Sequence, residues 1–258
     1  FEQTLLSLID RWLDDDKITD ILASGMVGSK QGWEEAPYQQ TPCNLKKLNY
    51  ITPKLKDTRI SLKIFSGVSQ IHQPDVMRGE ETQIAGFLNE TPNFNGSICL
   101  PGTHSKWVEI RNNNIIKFKT FMTGELFEII SKNSVLIHSV EAEKIDKIEL
   151  LNSVDKIFQN PELFSNALFQ LRADDLINSK GPTIYKSRLS GYLLAIELLG
   201  SVEFWKNNDI VLIGNPDLTE MYQFVLNKKV KSIKKFLSSD MVLTDSYTHL
   251  RAHETASD

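Results

Sequence analysis

Cysteine is nearly absent. Cys43 and Cys99 are the only two in 258 residues, too few for a disulfide scaffold and without the paired spacing of a zinc site, so a reducing cytoplasm is the simpler setting, with a single bridge left open. No apolar run approaches the ~20 residues that span a bilayer, and the acidic opening from Phe1 to Asp16 lacks the basic flank and apolar run of a secretory signal. Membrane insertion and secretion are therefore not expected. Nor is there any excess of positive charge. Twenty-nine basic against 33 acidic residues leave a formal charge of −4, so nothing draws the chain as a whole to nucleic acid or to an anionic membrane, and an anionic ligand would need a local site. Internal repeats, coiled-coil heptads and low-complexity tracts are missing as well. What is present is the composition of a globular protein, 41% hydrophobic and 24% charged, long enough for one large domain or two of ordinary size.

Along the chain, Leu5, Leu6, Ile9, Trp12 and Leu13 share one helical face, which predicts an amphipathic helix at the start. Ile18 to Ala23 reads as a short strand stopping at the glycine turn Ser24-Gly25-Met26-Val27-Gly28-Ser29, a common ligand-site geometry in α/β folds. After a loop with Pro37, Pro42 and Asn44, the stretches Leu48 to Ile51 and Ile60 to Val68 read as strands. Gly79-Glu80-Glu81-Thr82 opens a helix, with two glutamates placed to favour its N-terminus through the macrodipole. Pro92 to Gly96 ends that helix and marks a boundary between a domain at 1–95 and one at 96–243. From Ser97 a strand, a polar turn and a long β-hairpin follow, broken at Arg111 to Asn114. The remainder is expected to be largely helical, chiefly Val154 to Leu176 and Leu189 to Phe204, with one strand at Ile210 to Ile213 before a helix at Leu218 to Leu226. The stretch 244–258 has little apolar periodicity and is expected to be a loose tail, in which the i, i+4 pair His249 and His253 has no third metal ligand.

Three glycine-marked motifs stand in order: Met77-Arg78-Gly79-Glu80-Glu81-Thr82-Gln83 at a helix start, Leu100-Pro101-Gly102-Thr103-His104-Ser105-Lys106-Trp107 entering the hairpin, and Met122-Thr123-Gly124-Glu125-Leu126-Phe127 leaving it. Together with Gly25 to Ser29, Gly32-Trp33 and Ala36-Pro37-Tyr38, they closely resemble the 2-dehydro-3-deoxygalactonokinase family, over about Ile21 to Ile213. The resemblance implies an α/β fold of the sugar kinase, heat-shock ATPase and actin superfold, with two ribonuclease H-like domains around a nucleotide cleft. It implies transfer of the γ-phosphate of ATP to the terminal 6-hydroxyl of 2-dehydro-3-deoxy-D-galactonate in galactonate breakdown, with Mg2+ to offset phosphate charge.

That chemistry needs a group to deprotonate and orient the hydroxyl, donors for the phosphates and a cation for the substrate carboxylate. By the position that related sugar kinases give a glycine-acid pair, Glu80 is the expected base, with Glu81 and Asp75 in reserve. Gly102 lets backbone amides approach a phosphate, Thr103 and Ser105 add hydroxyls, and Lys106 adds charge. His104 is open between a ligand donor and a satisfied partly buried histidine, while Thr123 and Gly124 could border the cleft. Gly214 and Asn215 resemble the adenine-side turn of the superfold. Bidentate arginine suits a carboxylate best, so Arg78 is the first choice for the substrate acid, with Arg172 and Lys106 behind it. Gly25, Met26, Val27, Gly28 and Ser29 are expected to shape the sugar pocket, with Trp33 as its apolar wall. Each residue also has a plainer reading, as helix start, strand kink, core aromatic or surface ion pair.

The superfold's first phosphate-binding hairpin, with its aspartate, glycine and threonine or serine, is expected ahead of the first helix and does not occur in residues 1–258. A chain opening at Phe1 is accordingly expected to lack about one hairpin, with reduced or absent activity and metal ligands unassigned. The expected partners are a small-molecule sugar acid and ATP, without nucleic acid or membrane, and with a homodimer left open. The alternatives are a kinase for another small sugar acid or keto acid, and a non-catalytic sugar-acid sensor.

Overall fold

The computed structural model of the chain describes the backbone of residues 1–227 and 229–254, with side chains as far as residue 246. Its opening helix α1, Glu2–Ile9, is shorter than the apolar spacing predicts, because none of its residues is buried and Trp12 is 67% exposed, so no packing extends it. Strand β1, Thr19–Ala23, ends in the expected glycine turn. Short strands β2, Gln39–Gln40, β3, Cys43–Asn44, and β4, Tyr50–Ile51, follow. The apolar run after Arg59 divides at Ser66-Gly67 into β5, Ile60–Phe65, and β6, Val68–Gln70, the latter returning as β7, Asp75–Met77. Strand β5 pairs in parallel with β1 and antiparallel with β4, while β6 pairs in parallel with β2 and antiparallel with β7. Ala36, Leu62 and Ile64 form a small core there, with Ile21, Val27 and Trp33 packed against it. Helix α2, Glu80–Glu90, buries Ile84, Phe87 and Leu88.

Beyond the boundary at Asn95, β8, Gly96–Leu100, is buried at every residue. The predicted hairpin forms from β9, Ser105–Arg111, and β10, Asn114–Phe121. Positive φ at both Asn112 and Asn113 matches a two-residue turn whose twist suits paired strands. Helices α3, Thr123–Asn133, and α4, Lys147–Gln159, follow. The apolar stretch expected as one helix is interrupted at Pro161 and resumes as α5, Phe164–Asn178. After α6, Pro182–Gly200, and the short α7, Val202–Trp205, strand β11, Asp209–Gly214, pairs in parallel with β8 and leads into α8, Pro216–Leu226. A strand that the sequence reading does not anticipate, β12, Ser232–Leu237, pairs beside β11. It is mostly exposed and carries lysines, as an edge strand does. The core here gathers Trp107, Tyr185, Leu189, Leu194 and Leu212 among many others.

The chain packs as two compact units, and these do not divide at one cut. The first comprises Phe1–Asn95, Glu109–Phe118 and everything from Leu237 on; the second comprises Gly96–Val108 and Lys119–Phe236. The outer half of the hairpin belongs to the first unit because Asn114 and Ile115 pair antiparallel with Asn44 and Cys43. The last helix, α9, Ser238–Glu254, belongs there because it packs on α2, where a Cβ on Gly86 would fall 1.9 Å from the Met241 carbonyl oxygen. This corrects the expected loose tail from Thr244: Met241 and Asp245 are both 2% exposed, and Thr244 donates to Glu90. Residues 255–258 and the side chains of His249 and His253 lie outside the described residues. Among the described residues no helix is long and apolar enough to cross a membrane.

Candidate active site

The first unit brings the Gly25 to Ser29 turn against the start of α2. Gly79 caps that helix at φ 111°, and Gly25 stands at φ 84°. A Cβ on Gly79 would lie 3.3 Å from the Gly25 Cα, so two backbones meet where neither tolerates a side chain. Ser24 Oγ and Thr82 Oγ1, 3.4 Å apart, join the same two segments. Arg78 lies at this junction. Its Nη2 donates to the Ala36 carbonyl at 2.9 Å, and the Tyr38 ring covers the guanidinium at 4.2 Å. A Cβ on Gly28 would fall 3.0 Å from its Nη1. Arg78 Nε and Nη1 and Ser29 Oγ are shielded from solvent, and each is without a hydrogen-bond partner.

Two adjacent carboxylates differ sharply here. Glu80 Oε2 accepts the Arg78 backbone N–H at 3.0 Å, and the side chain is part-exposed. Glu81 is fully buried, and both its oxygens accept the Gly79 N–H, at 2.8 and 2.7 Å. Burial pushes the Glu81 carboxyl up to about 8, with the Glu80 charge adding to the rise and the backbone hydrogen bonds and Arg78 opposing it. Asp75 is occupied as well, its Oδ1 accepting the Val76 N–H at 2.8 Å. Of the three, Glu80 alone combines a helix-start position with access. Trp33 packs against the small core and stacks on Phe1 at 5.9 Å, so it supports the glycine turn from behind, while Met26 is 67% exposed.

In the second unit, Gly102, Thr123 and Gly124 line a cavity of about 570 Å³ together with residues of α6 and α8, among them Lys186, Leu193 and Tyr222. No atom lies within 4 Å of a Cβ placed on Gly102, so this turn is open to a ligand. Gly124 is its opposite, since a Cβ there would fall 2.4 Å from the Gly102 carbonyl oxygen. The Glu125 N–H donates to the Thr103 carbonyl at 3.0 Å, which holds the N-terminus of α3 against the turn. Such a terminus, beside a glycine turn, favours anions. His104 is exposed, and its Nε2 meets Glu125 Oε2 at 2.6 Å.

Other expected ligand residues are placed elsewhere. Ser105 is fully buried and shares a hydrogen bond with Tyr222, so its hydroxyl does not face the cavity. Lys106 is 4% exposed within β9 and does not line the cavity either. Asn215 Oδ1 accepts the Asp217 N–H at 2.8 Å as the cap of α8, and Gly214 is buried at the end of β11. Arg172 pairs with Asp175 at 3.2 Å and donates to Ser139. It belongs to the second unit, whereas the glycine turn and Arg78 belong to the first. What the sequence pattern misses in the cavity are Lys186 and Tyr222, which sit in helices whose apolar periodicity reads as core.

Residues 1–244 match the 2-keto-3-deoxy-galactonokinase family. The "Probable 2-dehydro-3-deoxygalactonokinase DgoK1" of Rhizobium meliloti is 34% identical over 220 residues, 83% of this chain and 72% of the relative. The 2-dehydro-3-deoxygalactonokinase of Escherichia coli is 28% identical over 208 residues, 80% of this chain and 69% of that one. A crystal structure of a Sinorhizobium meliloti protein provisionally named a 2-dehydro-3-deoxygalactonokinase superposes with a TM-score of 0.89 at 30% identity, covering 98% of this chain and 85% of that one.

Proposed function

The chain belongs to the 2-keto-3-deoxy-galactonokinase family, and we propose that its second unit binds ATP beside Gly102 while its first holds the sugar acid at Arg78, with Glu80 as base. The reaction is ATP-dependent phosphorylation of 2-dehydro-3-deoxygalactonate in galactonate catabolism. The hydroxyl accepting the phosphoryl group is the terminal one at carbon 6. Its oxygen bonds to the γ-phosphorus as the bond to the β,γ-bridging oxygen breaks; ADP leaves, and the hydroxyl proton passes to Glu80. The units are read as the two ribonuclease H-like halves of the superfold, and the free, buried Cys43 and Cys99 suit a reducing cytoplasm.

ATP enters as its magnesium complex. Phosphate-bound magnesium keeps several waters and takes one or two carboxylates. The metal supplies charge neutralisation, and the Gly102 turn and the start of α3 supply N–H donors.

The observation that carries this reading is the set of partnerless atoms at one place. Leaving a buried donor unsatisfied costs about 1–3 kcal/mol, and Arg78 leaves two so, beside a third on Ser29. A carboxylate, charged and with two acceptor oxygens, is the group that guanidinium donors bind most strongly, and 2-dehydro-3-deoxygalactonate carries one. A coupled ADP-release assay with candidate sugar acids tests the proposal. Turnover with 2-dehydro-3-deoxygalactonate supports it. Turnover confined to other acids makes the chain a different acid kinase, and binding without turnover makes it a sensor.

A further inference from the structure

Glu197 is a carboxylate in an apolar helix, 1% exposed, one turn before the end of α6. Its Oε1 accepts the Trp107 indole N–H at 2.8 Å; its Oε2 accepts the hydroxyls of Thr123 at 2.5 Å and Tyr222 at 2.8 Å. Ser105 Oγ stands 3.0 Å from the Tyr222 hydroxyl. Four elements thereby meet at one side chain: α6 itself, β9 just after the Gly102 turn, the first residue of α3, and α8. Burial raises the carboxyl's pKa, and the donors from Thr123, Trp107, Tyr222 and Ser105 counter that rise. A leucine would fill such a place without the desolvation cost of a charge, so the charge has a use other than packing.

Two of the partners, Thr123 and Tyr222, line the cavity. A carboxylate only accepts, so both hydroxyl hydrogens point at Oε2; the Tyr222 oxygen is left to accept from Ser105, and the Thr123 oxygen keeps its lone pairs for the cavity it lines. A phosphate oxygen carries no proton and finds no bond on that wall. Groups that donate, such as a ribose hydroxyl or a bound water, do. We propose that Glu197 is a positioning residue for the nucleotide site, orienting the Thr123 hydroxyl so that this wall accepts hydrogen bonds and the phosphates are left to the backbone N–H groups at Gly102 and the start of α3. The inference rests on the nucleotide reading of the cavity and gives Thr123 a role opposite to that of a phosphate donor.

The discriminating variant is Glu197→Gln. Its amide oxygen can keep the Trp107 bond, but its NH2 must then donate to the two hydroxyls and reverse them. Calorimetric titration with ADP should show binding about tenfold weaker than wild type or worse, one hydrogen bond's equivalent, with a cooperative thermal transition retained and KM for the sugar acid within about twofold. Thr123→Val should weaken ADP binding similarly, and Thr123→Ser should restore it. A Glu197→Gln protein that folds and binds ADP as wild type does would overturn the inference, since a neutral side chain would then serve equally. So would an equal rise in KM for both substrates. Should Glu197→Gln fail to fold, the threonine pair decides: unchanged binding in Thr123→Val overturns the proposal, and loss with recovery in Thr123→Ser upholds it. Wild-type protein that does not bind ADP refutes the nucleotide reading itself, and this inference with it.

Discussion

Replacing Arg78 by methionine separates binding from folding. In the free protein the guanidinium has two unsatisfied buried donors, Nε and Nη1, each costing about 1–3 kcal/mol. Against that, Nη2 bonds the Ala36 carbonyl, a charge-assisted contact of about 1.5–3 kcal/mol, and the Tyr38 ring adds about 0.5–2 kcal/mol. These contributions offset one another. Methionine keeps the apolar stem, so Arg78→Met should change unfolding free energy by no more than about 2 kcal/mol, a shift of a few degrees in thermal midpoint for a chain this size. Binding should respond quite differently. Removing one partner of a buried, hydrogen-bonded charge pair costs about 2–5 kcal/mol, so KM for the sugar acid should rise roughly thirtyfold to a few thousandfold while ADP affinity stays put. A neutral analogue without the carboxylate should bind wild type and variant equally. A variant with unchanged KM would refute the reasoning. So would one that loses ADP binding and stability together, which would make Arg78 a structural prop.

Glu80→Gln should leave the thermal transition in place and lower kcat about 10²–10⁴-fold, and turnover close to wild type would move the base elsewhere. Glu81 is a pH-sensitive group. Its folded value, about 8, lies above the ordinary 4.5, so its stabilising contribution is complete below pH 4.5 and is lost as pH rises through 8. Wild type should weaken across that window by an amount on the order of a few kcal/mol, and Glu81→Gln should flatten the slope in denaturant titrations at stepped pH; an unchanged slope contradicts the assignment. Gly124→Ala places a methyl 2.4 Å from the Gly102 carbonyl oxygen, so the turn must move, and ADP affinity should fall about tenfold or more with sugar-acid binding retained. Equal ADP affinity in that variant would place the phosphates away from the turn.

Much of the architecture was legible because apolar runs in this chain end at glycines. The strand before Gly25, the buried run before Gly102 and the one ending at Gly214 all stand where their composition puts them. Strand β12 was hidden by its lysines, since an exposed edge strand has no apolar alternation to show. The final helix was hidden for a related reason: few buried side chains hold it, and they meet α2, a partner 150 residues away, which no local pattern records. In the candidate site, Arg78, Gly79 and Glu80 are neighbours in sequence, and Gly79 meets the Gly25 backbone. The motif around Gly102 misled at Ser105, whose hydroxyl was taken as a ligand. Ser105 and Trp107 are two residues apart and so share a face of β9, and that face looks inward to Tyr222 and Glu197. Glu197 itself carried no signal, because one acid in an apolar helix reads as a surface residue until its partners from three other elements are in place.

A crystal structure of the protein with ADP and 2-dehydro-3-deoxygalactonate would test the central claim most directly, which is that Arg78 receives the substrate's acid group. The expected result is a carboxylate bonded to the Arg78 guanidinium, with Ser29 Oγ engaged and the ADP phosphates at the Gly102 turn. A substrate carboxylate held by Arg172, or by any group other than Arg78, would contradict it.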